Sequence, residues 1–294
     1  MEILRSPLFV PGNRFTMIEK ARHLPADALV LDLEDSVPEA EKESAVQQVQ
    51  EVLPSLARKG RDAYVRVNGL STGRTAKELE VLVGPALNGI LLPKASAADV
   101  ASVDAILSSL EKARGLAAGH VRVIALAENA KGVLTAFEIA VASSRIVAIA
   151  YGAEDFTLDM GIPRTLEGAE SYVPRVMVAI AARAAGVLAL DGPYPAFKDE
   201  DGLVKDACTA RGMGYTGKFA IHPAQIAPLH RVFSPPSEEV ERAKAIVAAF
   251  EEAQSRGSAS VSLGGIMVDV PVAERARKVL DWAKTITDKE AGHS

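Results

Sequence analysis

A single cysteine, Cys208, in 294 residues removes two kinds of architecture at once. Neither an internal disulfide framework nor a thiolate cage for structural zinc can be built from it, so the fold must rest on packing. A reducing compartment is the expected home. Positive charge is also scarce: 33 Lys and Arg stand against 38 Asp and Glu, a formal net charge of -5. That balance supplies no basic field for a phosphate backbone, so nucleic acid is not an expected partner. Long apolar runs are missing too. Charge or glycine interrupts each hydrophobic stretch well short of the ~20 residues that a membrane span needs. The opening MEILRSPLFVPG carries no export-type pattern. The expectation is a cytoplasmic protein with no membrane partner.

What the chain does have is 48% hydrophobic and 24% charged residues, enough for a large core. Short runs rich in Val, Ile and Leu alternate with stretches of helical periodicity. Eight such runs read as strands, at 8–11, 28–33, 63–68, 89–94, 121–128, 146–152, 187–191 and 218–222. Helices are expected at 15–22, 40–53, 76–83, 97–114, 132–142, 172–185 and 203–211. Eight alternations over some 230 residues suit an α/β fold of the (β/α)8 TIM barrel type, with an open doubly wound sheet as the alternative. After residue 222 the alternation stops. A helix at 225–232, a break at SPPSEE, a helix from 237 to about 256, a Gly/Ser stretch and a last amphipathic helix at 273–286 follow. The organisation expected is a catalytic barrel over 1–233 and a C-terminal helical arm or lid over 234–294, too short for a core of its own and packed on a neighbouring subunit.

Polar residues gather at one end of the apolar runs, where barrel enzymes place their chemistry. In order they are Asn13 and Arg14; Asp32, Glu34 and Asp35; Arg66 and Asn68; Lys94; Glu128; Glu154 and Asp155; Asp191; and His222. Taken singly, Asp191 and His222 are better explained as structural polar groups at loop starts. Glu128 closes the fifth expected strand and Asp155 the sixth, so two carboxylates converge with no His or Cys beside them. That favours a hard, partly hydrated cation such as magnesium over zinc. The competing explanation is an ion pair from one of them to Arg66 or Lys94. Arg66, in VRVNG, either clamps a carboxylate or thioester oxygen or closes a network to Asp32 or Glu34. Lys94 reads as a neutraliser of the surrounding acids. A Schiff-base role is disfavoured, because those acids would raise the pKa that such chemistry needs lowered.

The segments SPLFVPGNR, LVLDLEDSV, YVRVNG, ILLPKA, ALAENAKGV, YGAEDF, GKFAIHPAQI and MVDVP follow one another from Ser6 to about Val272. In that order they resemble the citrate lyase beta-subunit-like family, which includes malyl-CoA, citramalyl-CoA and citryl-CoA lyases. The resemblance implies a barrel enzyme dependent on Mg2+, with Mn2+ as the alternative ion. It would cleave or form the carbon-carbon bond of a β-hydroxyacyl-CoA thioester by a retro-Claisen reaction, giving acetyl-CoA and a keto acid. By position, Glu128 and Asp155 match the metal ligands, and Arg66 the substrate-binding arginine. Phe9, Arg14, Lys20, Ile221 and His222 match substrate and CoA contacts, with Asp32, Glu34 and Lys94 supporting the rim. Asp269 matches an acid-base aspartate that reaches the site from a neighbouring subunit, which implies a homo-oligomer, a trimer or hexamer. Asn129 stands where the family more often carries Thr or Ser, which puts the surroundings of the metal in question. Two rival readings stay open: a pyruvate-type aldolase acting on free hydroxy-keto acids, and a non-catalytic acyl-CoA-binding protein.

Overall fold

The computed structural model describes residues 2–57 and 62–292, which contain all the candidate site residues. They fall into two compact units, one from Glu2 to Leu229 and the other from His230 onward. In the first, eight parallel strands follow one another in chain order: β1 (Pro7–Pro11), β2 (Ala28–Asp32), β3 (Ala63–Arg66), β4 (Gly89–Leu92), β5 (Arg122–Ala127), β6 (Ile146–Tyr151), β7 (Leu188–Asp191) and β8 (Gly217–Lys218). The sheet closes on itself. Phe9 N donates to Ala220 O at 2.8 Å, and Ala220 N donates to Pro7 O at 2.8 Å. The helices between strands are α1 (Phe15–Ala21), α2 (Lys42–Ala57), α3 (Thr75–Leu82), α4 (Ala97–Ala113), α5 (Ala130–Leu134), α6 (Ala136–Val141), α7 (Ala153–Met160), α8 (Tyr172–Ala185) and α9 (Glu200–Met213). The fold is a (β/α)8 barrel, as the alternation predicts.

Strands of a parallel barrel are covered on both faces, which is why they read as continuous apolar runs rather than alternating ones. All four residues of β4, Gly-Ile-Leu-Leu, are buried. Alternate residues of neighbouring strands, Ile124 and Leu126 on β5 and Ala148 and Ala150 on β6, join Val30, Tyr64, Leu91 and Phe219 in one buried cluster. The side chains in between are buried as well. Small alanines on β6 face larger residues on β5, as a filled barrel requires.

Three local expectations need correction. The sixth strand stops at Tyr151, and Asp155 lies in the first turn of α7 rather than at a strand end. Glu154 and Asp155 there complement the partial positive charge of a helix N-terminus. The single helix expected at 132–142 is two short ones broken at Thr135. The eighth strand is only Gly217–Lys218. His222, expected to end it, instead caps a short 3-10 turn, its Nδ1 accepting from Ala224 N at 3.2 Å.

The chain continues through α10 (Ile226–Phe233) into the second unit, which holds α11 (Ser237–Ser255), a hairpin of β9 (Val261–Leu263) and β10 (Ile266–Val268), and α12 (Val270–Gly292). The Gly/Ser stretch, to which the sequence assigned no element, supplies β9 and the turn of this hairpin. Gly264 and Gly265 both adopt positive φ, +58° and +79°, as a two-residue turn matched to strand twist demands. Phe250, Val268 and Ala273 are buried together with Ile246, Val261 and Leu263 around them, so this unit has a small core of its own, contrary to expectation.

Behind the barrel, a buried ion pair ties α4 to the start of β6. The Arg145 guanidinium forks onto Glu111 at 2.6 and 2.7 Å, and Glu111 also accepts from Val121 N at 2.9 Å and Gly119 N at 3.0 Å. Burial pushes the Glu111 carboxyl up, but the Arg145 fork and the two backbone donors outweigh it and hold it at about 2. A carboxyl depressed in this way stabilises the fold fully above its ordinary value of 4.5, and that stabilisation is lost as pH falls toward 2. Glu111→Gln leaves Arg145 without its main counter-charge, a loss of about 3 kcal/mol. In urea unfolding we expect that deficit in full at neutral pH and shrinking steadily below pH 4.5. A deficit independent of pH would refute the ionic account.

Candidate active site

The residue after each of two adjacent strands builds the acidic floor of the site. Glu128 follows β5 and is buried, 3% exposed. Gly152 follows β6, and a Cβ there would stand 2.5 Å from Glu128 Oε2 and 2.5 Å from its Cβ. Only glycine leaves Glu128 its seat. Glu128 Oε1 accepts from Lys94 N at 2.7 Å, and Oε2 has no hydrogen-bond donor among the described residues. Burial, then the nearby charges of Asp155 and Glu34, push the Glu128 carboxyl up to about 8. Asn129 accepts from Gly132 N at 2.7 Å and caps α5, a task Thr or Ser would also perform.

Arg66 ends β3, and its guanidinium forks onto Asp32, which ends β2, at 2.6 and 2.7 Å. Its remaining nitrogen lies 3.0 Å from Glu34 and 3.4 Å from Asp35, and its plane sits 4.9 Å above the Phe9 ring. The Glu34 contact is ionic only, since Glu34 Oε2 lacks hydrogen-bond alignment to any donor. Burial lowers the pKa of Arg66, but the Asp32 fork and the charges of Glu34 and Asp35 more than offset it, holding the pKa above the usual arginine range. Lys94 bridges Glu34 at 2.9 Å and Asp155 at 3.2 Å, and these partners outweigh burial to raise its pKa. A lysine so held is an ammonium, not a nucleophile. Arg66 and Lys94 thus sit in the ion-pair networks that the sequence left open as alternatives.

Most of these groups, though not Glu34 or Lys94, border a cavity of about 360 Å3 at the C-terminal ends of the strands. Phe9, Asp32, Arg66, Glu128, Asp155 and Ile221 line it. Arg14 and Lys20, on and beside α1, are exposed and do not. Half-buried His222 stacks on Phe197 with ring centroids 4.7 Å apart and is not part of the lining either. Asp191 is taken up by a structural network, bonded to Arg175 at 2.7 Å and Lys218 at 2.5 Å. Asp269 belongs to the second unit, where its Oδ1 accepts from Val272 N at 3.2 Å at the start of α12. The sequence reading overlooked Arg164, which lines the cavity from the loop after α7. Attention to strand ends alone missed it, although the lone cation in GIPRTLEG was there to be noticed.

A divalent cation fits this floor. Ionised Glu128 is costly where it stands, and its free Oε2 and Asp155 offer hard oxygen donors. No cluster of three or more His, Cys, Asp or Glu suited to a metal occurs among the described residues. An ion here would complete its shell with water or substrate oxygens, the habit of magnesium rather than zinc.

Comparison with known proteins agrees with the barrel fold. Citrate lyase subunit beta of Haemophilus influenzae is 38% identical over 286 residues, spanning 97% of this chain and 98% of that one. L-malyl-CoA/beta-methylmalyl-CoA lyase of Cereibacter sphaeroides is 34% identical over 304 residues, spanning 96% and 95%. The crystal structure of CitE from Mycobacterium tuberculosis, in complex with magnesium, acetoacetate and coenzyme A, superposes with a TM-score of 0.77 at 32% identity, over 95% of this chain and 98% of that one. The family model of the HpcH/HpaI aldolase/citrate lyase group matches residues 5–223, and the chain belongs to that family.

Proposed function

We propose that the protein is a magnesium-dependent lyase that cleaves a β-hydroxyacyl-CoA thioester to acetyl-CoA and a keto acid. The observation that carries this reading is the pairing of Glu128, buried and short of a counter-charge, with Asp155 on the wall of one cavity. Relatives of both the citrate lyase and malyl-CoA lyase kinds support it. So does a structural neighbour holding magnesium, a keto acid and coenzyme A.

Glu128 and Asp155 would hold the ion. Magnesium bound there supplies Lewis acidity to the substrate's hydroxyl and carbonyl oxygens. Arg66, kept charged by Asp32 and Glu34, offers a fixed positive charge to the enolate oxygen of the departing thioester. Lys94 holds Glu34 and Asp155 in place without entering the chemistry. Asp269 of a neighbouring subunit relays one proton: in cleavage the proton lost by the substrate hydroxyl reaches the enolate carbon through it, and in synthesis the proton it takes from the methyl group returns to the new hydroxyl. The second unit is then an arm that completes a neighbour's site, and the assembly a homo-oligomer in a reducing cytoplasm. Phe9 and Ile221 flank the substrate, while Arg14, Lys20 and His222 lie outward, where the CoA nucleotide and phosphates would run.

The deciding experiment is a release assay for acetyl-CoA with malyl, citramalyl and citryl thioesters, with and without EDTA. Asp155→Ala is expected to abolish turnover while circular dichroism stays unchanged; full turnover in this variant would refute the metal assignment. Glu128 must lose its proton to bind the ion, so magnesium affinity should rise up to about tenfold per pH unit between pH 6.5 and 8 and level off above. Glu128→Gln should bind weakly and without that slope, as calorimetry would reveal. Mixing inactive Asp155→Ala with inactive Asp269→Asn subunits should restore turnover if Asp269 acts across subunits, whereas mixtures as dead as their parents would place it elsewhere.

A further inference from the structure

Arg66 is the expected partner for a substrate carboxylate, yet its guanidinium is already engaged. Asp32 takes the fork, and Glu34 and Asp35 face the third nitrogen. A ligand carboxylate arriving there meets Asp32, Glu34 and Asp35 as competing anions around the guanidinium. The second guanidinium on the cavity wall, Arg164, is differently placed. One terminal nitrogen meets the Glu154 carboxylate, and the other donates to Pro193 O at 2.8 Å. A guanidinium carries five N–H donors. The Nε hydrogen of Arg164 and one on each terminal nitrogen have no acceptor among the described residues. The Arg164 side chain is only 17% exposed, whereas that of Glu154 is 66% exposed, so water weakens the pair from the Glu154 side. A carboxylate arriving in the cavity meets a fixed cation with open donors.

We infer that Arg164 is a second carboxylate receptor, and that it makes the site prefer thioesters whose keto-acid half carries two acid groups over those bearing a methyl in place of the second. The inference rests on the lyase reading: one carboxylate and the hydroxyl turn toward Glu128 and Asp155, which leaves any second carboxylate to find its own cation. Arg164 lines the same cavity as that pair. A methyl group in that position gives the guanidinium nothing to bond. Charge-assisted hydrogen bonds of this kind correspond to about 10- to 100-fold in affinity.

The test is calorimetric binding of oxaloacetate and of pyruvate to the full-length protein in magnesium, for the wild type, Arg164→Gln and Arg164→Lys. The wild type should bind oxaloacetate at least about 10-fold more tightly than pyruvate. Arg164→Gln should erase the preference while pyruvate affinity moves less than about threefold, and Arg164→Lys should keep part of it. An unchanged preference in Arg164→Gln, equal weakening of both acids in that variant, or a wild type that shows no preference or binds neither acid would overturn the proposal. A wild type that discriminates between the acids yet turns over no thioester would overturn the lyase reading alone.

Discussion

The organising constraint is an excess of carboxylates at one rim, three of which, Asp32, Glu34 and Glu128, are buried. Asp32, Glu34, Asp35, Glu128, Glu154 and Asp155 meet at one rim, and Arg66, Lys94 and Arg164 are the cations that face them. Each cation answers particular acids. Arg66 satisfies Asp32, Lys94 links Glu34 to Asp155, and Arg164 takes the exposed Glu154. Glu128 alone receives only a backbone N–H. A buried acid in that position either keeps its proton or acquires a cation from outside. On the proposed reading a divalent ion would settle at Glu128, because elsewhere along the rim the acids already face a cation.

Rigid support for this arrangement comes from outside the cavity. Lys42 Nζ on α2 donates to Leu33 O at 2.9 Å, Glu34 O at 2.9 Å and Asn68 Oδ1 at 2.8 Å. Buried Asn68 donates from its own N to Glu78 Oε2 at 2.8 Å and from Nδ2 to Leu33 O at 3.0 Å. The loop carrying Glu34 is thus tied to the end of β3 two residues beyond Arg66. Charges fixed before substrate arrives need not reorganise when charge develops on it, and that is the condition under which they act most strongly.

The strands were legible because barrel burial on both faces leaves an unmistakable apolar run, and the rim was legible because polar residues gather at one end of those runs. The pairings within the rim were not. Whether Arg66 holds a ligand or Asp32 depends on β2 lying beside β3 in a register that sets Asp32 opposite Arg66, a fact of the folded sheet. The close of the sixth strand was misread because Ile146–Tyr151 merges into Gly152 without a polar break, while the backbone turns there to start α7. The hairpin of the second unit was hidden by its own turn residues, since Gly and Ser around short strands look like loop until the two strands pair.

Lys94 shows how much one position can be asked to do. It has φ +49°, the left-handed region, as no other non-glycine among the described residues does. That conformation costs an L-residue about 1 kcal/mol. From it the backbone N–H turns to Glu128, while the ammonium reaches Glu34 and Asp155. A glycine at position 94 would relieve the backbone and still hold Glu128, but it would leave Glu34 and Asp155 without the charge they share. The strain is offset by the two sets of contacts it joins, the backbone N–H on Glu128 and the ammonium between Glu34 and Asp155.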